Sequence, residues 1–121
     1  MTAIATFSLV AIDCPQPRAL ADFYSAITGW PVAQDDADWV QLRSDGGATM
    51  AFQLAADHVP PVWPSATHPQ QAHIDFSVPD LAAAEVQVLA LGARKAEVQP
   101  GTTFTVYLDP AGHPFCFVLA R

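Results

Sequence analysis

FTVYLDPAGHPFCFV, residues 104–118, is the stretch that decides the fold. The aromatic and β-branched residues at 104–108 and 115–118 suit a pleated, half-buried surface. Between them Pro110 presets φ and Gly112 is free to take φ > 0, so the centre reads as a turn that reverses the chain. The segment is a strand, a turn and a strand. Fold and chemistry are separate questions, so this hairpin alone assigns no function.

Outward from the hairpin, one order of elements occurs twice. Residues 72–78 alternate strictly and read as a strand. Asp80 is a helix N-cap, and Leu81, Ala84, Val88 and Leu91 share one helical face that ends at Gly92. Residues 93–98 read as a short strand leading into the hairpin. Earlier, residues 6–12 read as a strand broken by Cys14-Pro15. Leu20, Phe23, Tyr24 and Ile27 follow the i, i+3, i+4, i+7 spacing of an amphipathic helix, with Pro17 in its first turn and Gly29 as its stop. A short strand at 31–34, an acidic turn at 35–38 and strands at 39–43 and 49–55 joined through Asp45-Gly46-Gly47 complete that half. Each half is strand, helix, short strand, hairpin, the mark of an internal duplication. Residues 56–71 hold four of the 11 prolines and show no periodicity. A loop of that length in a compact domain is functional or a linker.

The fold class is therefore α+β: two βαβββ modules, at about 5–55 and 72–120, joined by the linker 56–71 in a single domain spanning 1–121. One module is a small sheet with a helix on one face and nothing on the other. Two modules side by side are expected to curl their open faces into a curved mixed sheet around a central pocket. In 73–78, Ile74, Phe76 and Val78 face the helix while His73, Asp75 and Ser77 face the open side.

Composition narrows the partners. A net charge of −7 with only five Lys plus Arg lacks the basic footprint that displaces counterions from nucleic acid, and disfavours anionic membranes as well. The apolar runs are too short to span a bilayer, and the first has no basic residue ahead of it, so a secretory signal is not expected and the cytoplasm is. A neutral or cationic small molecule is the partner this charge accommodates. Cys14 and Cys116 lack CxxC spacing and are expected as free thiols.

HIDFSVPD at 73–80 and YLDPAGHPFCF at 107–117, within the doubled βαβββ pattern, resemble the vicinal oxygen chelate superfamily. That group includes glyoxalase I, bleomycin-resistance proteins, extradiol dioxygenases and other glyoxalase-like domains, and the resemblance covers about residues 5–120. It implies a divalent metal held by two inward-facing residues from each half. Mapped onto this chain, those positions fall on Ser8, Gln53, His73 and Cys116, where the family usually has His, Glu, His and Glu. Only His73 is retained in kind. Ser8 is a weak neutral ligand and Gln53 has lost the charge. Cys116 suits softer Zn²⁺, but two good ligands fall short of the three of a catalytic zinc site. The family's metal site is thus read as lost, and no metal or cofactor is expected. A divalent metal at His73 and Cys116 is the minority alternative, and an arrangement drawing on His58, His68 or His113 stays open.

Ser8, Trp39, Gln53, His58, Trp63, His73, Asp75, Tyr107 and Cys116 are the candidate ligand-binding residues, and no catalytic residue is assigned. Trp39 and Tyr107 lie on corresponding strands and are expected to face the cavity. Trp63 and His58 sit in the proline-rich loop, where an aromatic beside a cavity is what a ligand lid carries. The plainer role for Trp63 is to pin the loop or a dimer contact. His73 is either a satisfied core histidine or a pocket group oriented by Asp75. Cys116 is expected to be an inert buried thiol, and His113 an exposed turn residue. Tyr24 and Trp30 are read as core. The resemblance favours a homodimer that sequesters a flat aromatic ligand as bleomycin-resistance proteins do, with no metal. The alternative is a metal-dependent lyase, isomerase or dioxygenase, separable from the first by elemental analysis.

Overall fold

Local chemistry in the sequence sets each of the ten elements seen in the computed structural model, which describes residues 2–120. They are β1 (Val10–Cys14), α1 (Pro17–Thr28), β2 (Val32–Asp35), β3 (Trp39–Arg43), β4 (Thr49–Leu54), β5 (Ile74–Val78), α2 (Leu81–Ala90), β6 (Arg94–Lys95), β7 (Phe104–Leu108) and β8 (Pro114–Leu119). The chain forms two compact units, Met1–His58 and Val59–Arg121. Each contains one four-stranded sheet, ordered β1-β4-β3-β2 in the first and β5-β8-β7-β6 in the second. The first strand of each module pairs parallel with the last, and the remaining pairs are antiparallel. The α+β class and the duplicated βαβββ order are thus both present.

In the first unit, α1 starts at a proline whose missing N–H is an orphan at that position anyway. It stops where Gly29 takes φ +74° and donates its N–H to the Ser25 carbonyl. Its buried face is Pro17, Leu20, Ala21, Phe23 and Tyr24, with Tyr24 stacked on Phe52 of β4 at 5.6 Å. Val40, Leu42, Met50 and Phe52 complete the core on that side. Full burial of each large apolar side chain is worth about 1.5–3 kcal/mol. Trp30 is half-buried behind the helix, and its carbonyl accepts the Ser25 hydroxyl. The first strand begins at Val10 rather than at residue 6: its ladder with β4 opens at Val10↔Met50 and runs to Cys14↔Leu54. Ser8 therefore precedes the strand and is exposed. The strand expected at 6–12 is present but lies at Val10–Cys14, the residues that pair with β4.

The second unit repeats the plan. Asp80 caps α2 by accepting the Ala83 N–H, and Gly92 at φ +105° follows its end. Phe76, Tyr107, Phe115 and Phe117 form the aromatic core on the helix side. The 109–113 turn is held by the Asp109 carboxylate, which accepts the N–H groups of Ala111 at 2.9 Å and His113 at 3.0 Å. His113, expected in solvent, is half-buried. Gly112 sits at φ +91°, and a Cβ there would lie 2.7 Å from Pro60 Cβ. The proline-rich segment from residue 59 thus packs on this turn, within the second unit.

Candidate functional site

Register decides which side chains share the open face of the second sheet. Asp75 on β5 pairs with Cys116 on β8, and Cys116 with Val106 on β7. These three form one row across the sheet. Cys116 and Val106 are buried with Ala96, and Trp63, Phe104 and Val118 pack against that cluster. Trp63 therefore brings the proline-rich loop onto the face that carries Cys116.

His73 Nε2 lies 3.3 Å from Asp75 Oδ1, and both side chains are exposed. One donor atom each from His73, Asp75 and Cys116 lies within 4.8 Å of the others. The Cys116 thiol is pushed up to about 11, first by burial and then by the Asp75 carboxylate beside it. At neutral pH it is a protonated thiol, not a nucleophile. The site is an apolar floor of Val106, Ala96 and Cys116, an aromatic wall of Trp63 and Phe104, and a polar edge of His73 and Asp75. Apolar and aromatic groups edged by a few polar ones are the usual lining of a small-molecule site.

Tyr107 is not on this face. It pairs with Phe115, stacks on that ring at 5.6 Å and is fully buried under α2. Its hydroxyl donates to Glu85 at 3.1 Å, and Glu85 also takes Lys95 at 2.9 Å. Burial, and then Glu85, push the Tyr107 phenol up to about 12. Lys95, and more weakly the Tyr107 hydroxyl, hold the Glu85 carboxyl below its usual range. The expectation that Tyr107 faces a cavity is corrected by the hairpin itself. Its turn sets 107 opposite 115 and 106 opposite 116, so Tyr107 and Cys116 must point to opposite faces. Val106 and Phe104 are the residues that reasoning missed, and this count finds them.

The same register places Trp39 opposite Gln53, and Gln53 opposite Asp13, in the first unit. Trp39 is half-buried and Gln53 exposed. The counterpart of Trp39 is Phe104, not Tyr107, since Phe104 pairs with Val118 and Val118 with Ser77. His58 is half-buried at the end of the first unit, its N–H donated to the Ala55 carbonyl.

These counts also test the metal centre implied by the resemblance. Seven residues back from each helix N-cap are His73 and Leu9; four on from each turn glycine are Cys116 and Ala51. The first-module positions therefore fall on Leu9 and Ala51 rather than on Ser8 and Gln53. Neither leucine nor alanine offers a donor atom, so the residues present do not fit a centre built from both modules.

Comparison with known proteins bears on family. A family model described as "Glyoxalase-like domain" matches residues 9–118. A search of curated proteins finds no match. Among solved structures, the chain is similar to a glyoxalase/bleomycin resistance protein/dioxygenase family enzyme from Burkholderia phytofirmans PsJN, with 18% identity, a TM-score of 0.72, and 97% of this chain and 100% of that one covered. It is also similar to a glyoxalase family protein from Enterococcus faecalis, at 19% identity and TM-score 0.67, covering 95% and 98%. A glyoxalase/bleomycin resistance protein from Albidiferax ferrireducens T118 shares 17% identity at TM-score 0.66, covering 97% and 100%. At these identities the structural likeness speaks for fold, and the matched family model speaks for membership. The chain belongs to the glyoxalase-like domain family of the vicinal oxygen chelate superfamily.

Proposed function

We propose that the protein is a cytoplasmic small-molecule binding protein of the bleomycin-resistance type, which sequesters a neutral or cationic aromatic ligand on the open face of its second sheet and works as a homodimer. The observation that carries this reading is Trp63, set by a proline-rich loop against the Ala96, Val106 and Cys116 cluster, whose Cys116 pairs across the sheet with Asp75. A rigid aromatic next to an apolar floor supplies stacking area, and prolines in the loop lower the entropy lost on ordering. The net charge of −7 favours a cationic over an anionic ligand. Binding of this kind needs no metal. It also needs no activated nucleophile, which agrees with a thiol held protonated.

The test is an intrinsic-fluorescence titration with bleomycin and a set of planar aromatic cations as probes. At least one probe is expected to quench tryptophan emission with saturation. Trp63→Ala is expected to weaken that affinity by about 1–3 kcal/mol, the range for loss of an aromatic anchor. Trp30→Ala, behind α1, is expected to lower the melting temperature and leave affinity nearly unchanged in the folded fraction. A Trp63→Ala variant that melts early yet binds normally makes the loop structural only.

A further inference from the structure

Gly101 is a glycine that its own φ does not call for. Of the six glycines, Gly29, Gly47, Gly92 and Gly112 take positive φ, and Gly101 is not among them. Gly46 also lies outside that region, and a Cβ there would have only Ser44 Oγ nearby, at 3.8 Å. At Gly101 the corresponding space is filled. A Cβ would lie 2.8 Å from both Cδ1 and Cζ of Phe104, and closer still to Cε1. The Phe104 ring therefore occupies the volume that any other residue at 101 would need, a close approach that only glycine permits.

Phe104 is part of the aromatic wall, packed against the buried cluster of Ala96, Val106 and Cys116. Its ring thus touches the floor of the site and the backbone at 101 together. We infer that Gly101 is a positioning residue for Phe104, and that through this ring it sets which ligand sizes the site accepts. The ligand half rests on the small-molecule reading above, while the steric half stands on the glycine contact alone. Pairing with Val118 holds the Phe104 backbone in the ladder, so a side chain at 101 must be met by rotation of the ring. Side chains occupy discrete staggered wells, so the ring jumps to another well rather than drifting. The floor over Val106 and Cys116 is then less covered and the site wider. A small ligand loses its stacking partner, whereas a larger one still reaches across.

The experiment compares Gly101→Ala with Gly46→Ala, two substitutions outside positive φ of which only the first meets a ring. Methyl NMR of the full chain follows the ring current of Phe104 on the Val106 and Val118 methyls. These should shift in Gly101→Ala and stay in place in Gly46→Ala. Calorimetry with benzamidinium and with proflavine reads the site. Gly101→Ala should weaken the one-ring cation by up to about tenfold, the worth of one aromatic pair, and the three-ring cation less. Phe104→Leu removes the ring, so the melting temperature lost by Gly101→Ala should shrink in that background, whether or not the single variant stays folded. Unmoved methyls, an equal change for both cations, or the same loss of melting temperature in both backgrounds would each overturn the inference. A wild-type chain that binds neither cation overturns the ligand half together with the small-molecule reading, and shows itself before any variant is made.

Discussion

At the scale of the residue, Tyr107 shows how one strand position separates a core group from a site group. Its aromatic ring suits either face, and only the pairing of 107 with 115 sends it beneath α2 to Glu85. That burial has a consequence in pH. A phenol held near 12 in the fold and near 10.0 when unfolded keeps its proton longer in the native state. The folded state then binds more protons than the unfolded one across that interval, so stability falls as pH rises. The contribution is complete below pH 10.0 and gone above about 12. Denaturant melts from pH 9 to 12 should show this loss, and Tyr107→Phe should remove most of the slope in that window. At neutral pH the same variant should cost about 0.5–1.5 kcal/mol, the usual worth of a hydrogen bond.

At the scale of the element, the pieces best read from sequence are those with a local chemical cause. The start of α1 at Pro17, its stop at Gly29, the Asp80 cap and the turn at 109–113 are each written in one or two residues. Less legible was the edge of the second sheet. Residues 93–98 suggest a strand, yet β6 keeps only Arg94 and Lys95. The side chain of Gln99 replaces the missing backbone. Its Nε2 donates to the carbonyls of Ala96 and Val106, at 2.9 and 2.8 Å, and its Oε1 accepts the Val106 N–H at 2.9 Å. An amide side chain standing in for a strand has no sequence period, so nothing in the pattern announces it. Gln99→Ala leaves the Val106 N–H without that partner and should destabilise by about 1–3 kcal/mol in chemical denaturation. Because Val106 is part of the apolar floor, the variant should also weaken ligand binding, whereas Gln99→Glu keeps only the acceptor half of the interaction.

At the scale of the whole molecule, duplication is what the sequence shows most plainly, and it is also where its reading of the site fell short. Repetition of strand, helix and hairpin is legible because each module must bury its own helix face. Equivalence of individual positions is not, since it depends on ladder register: Leu9 and Ala51, not Ser8 and Gln53, match His73 and Cys116. The modules thus share a plan while, among the described residues, only the second carries a cluster of donors. No described helix is long and apolar enough to cross a membrane. Large apolar side chains are nevertheless exposed, with Val86 on α2 at 72% and Phe7 at 79%. Apolar surface of that kind is commonly covered by a second copy. Light scattering at micromolar concentration should therefore give twice the 12.9 kDa chain mass, and a monomer mass would count against the homodimer.

The central claim is that the open face of the second sheet is where the small molecule sits. Its most direct measurement is a two-dimensional amide NMR titration of the full chain with the probe that quenches fluorescence. The account predicts saturating shifts at Trp63, His73, Asp75, Phe104, Val106 and Cys116, with Glu85 and Tyr107 on the helix side of the same sheet little changed. Shifts confined to the helix side, or to the first unit with Trp63 and Cys116 unmoved, would contradict it.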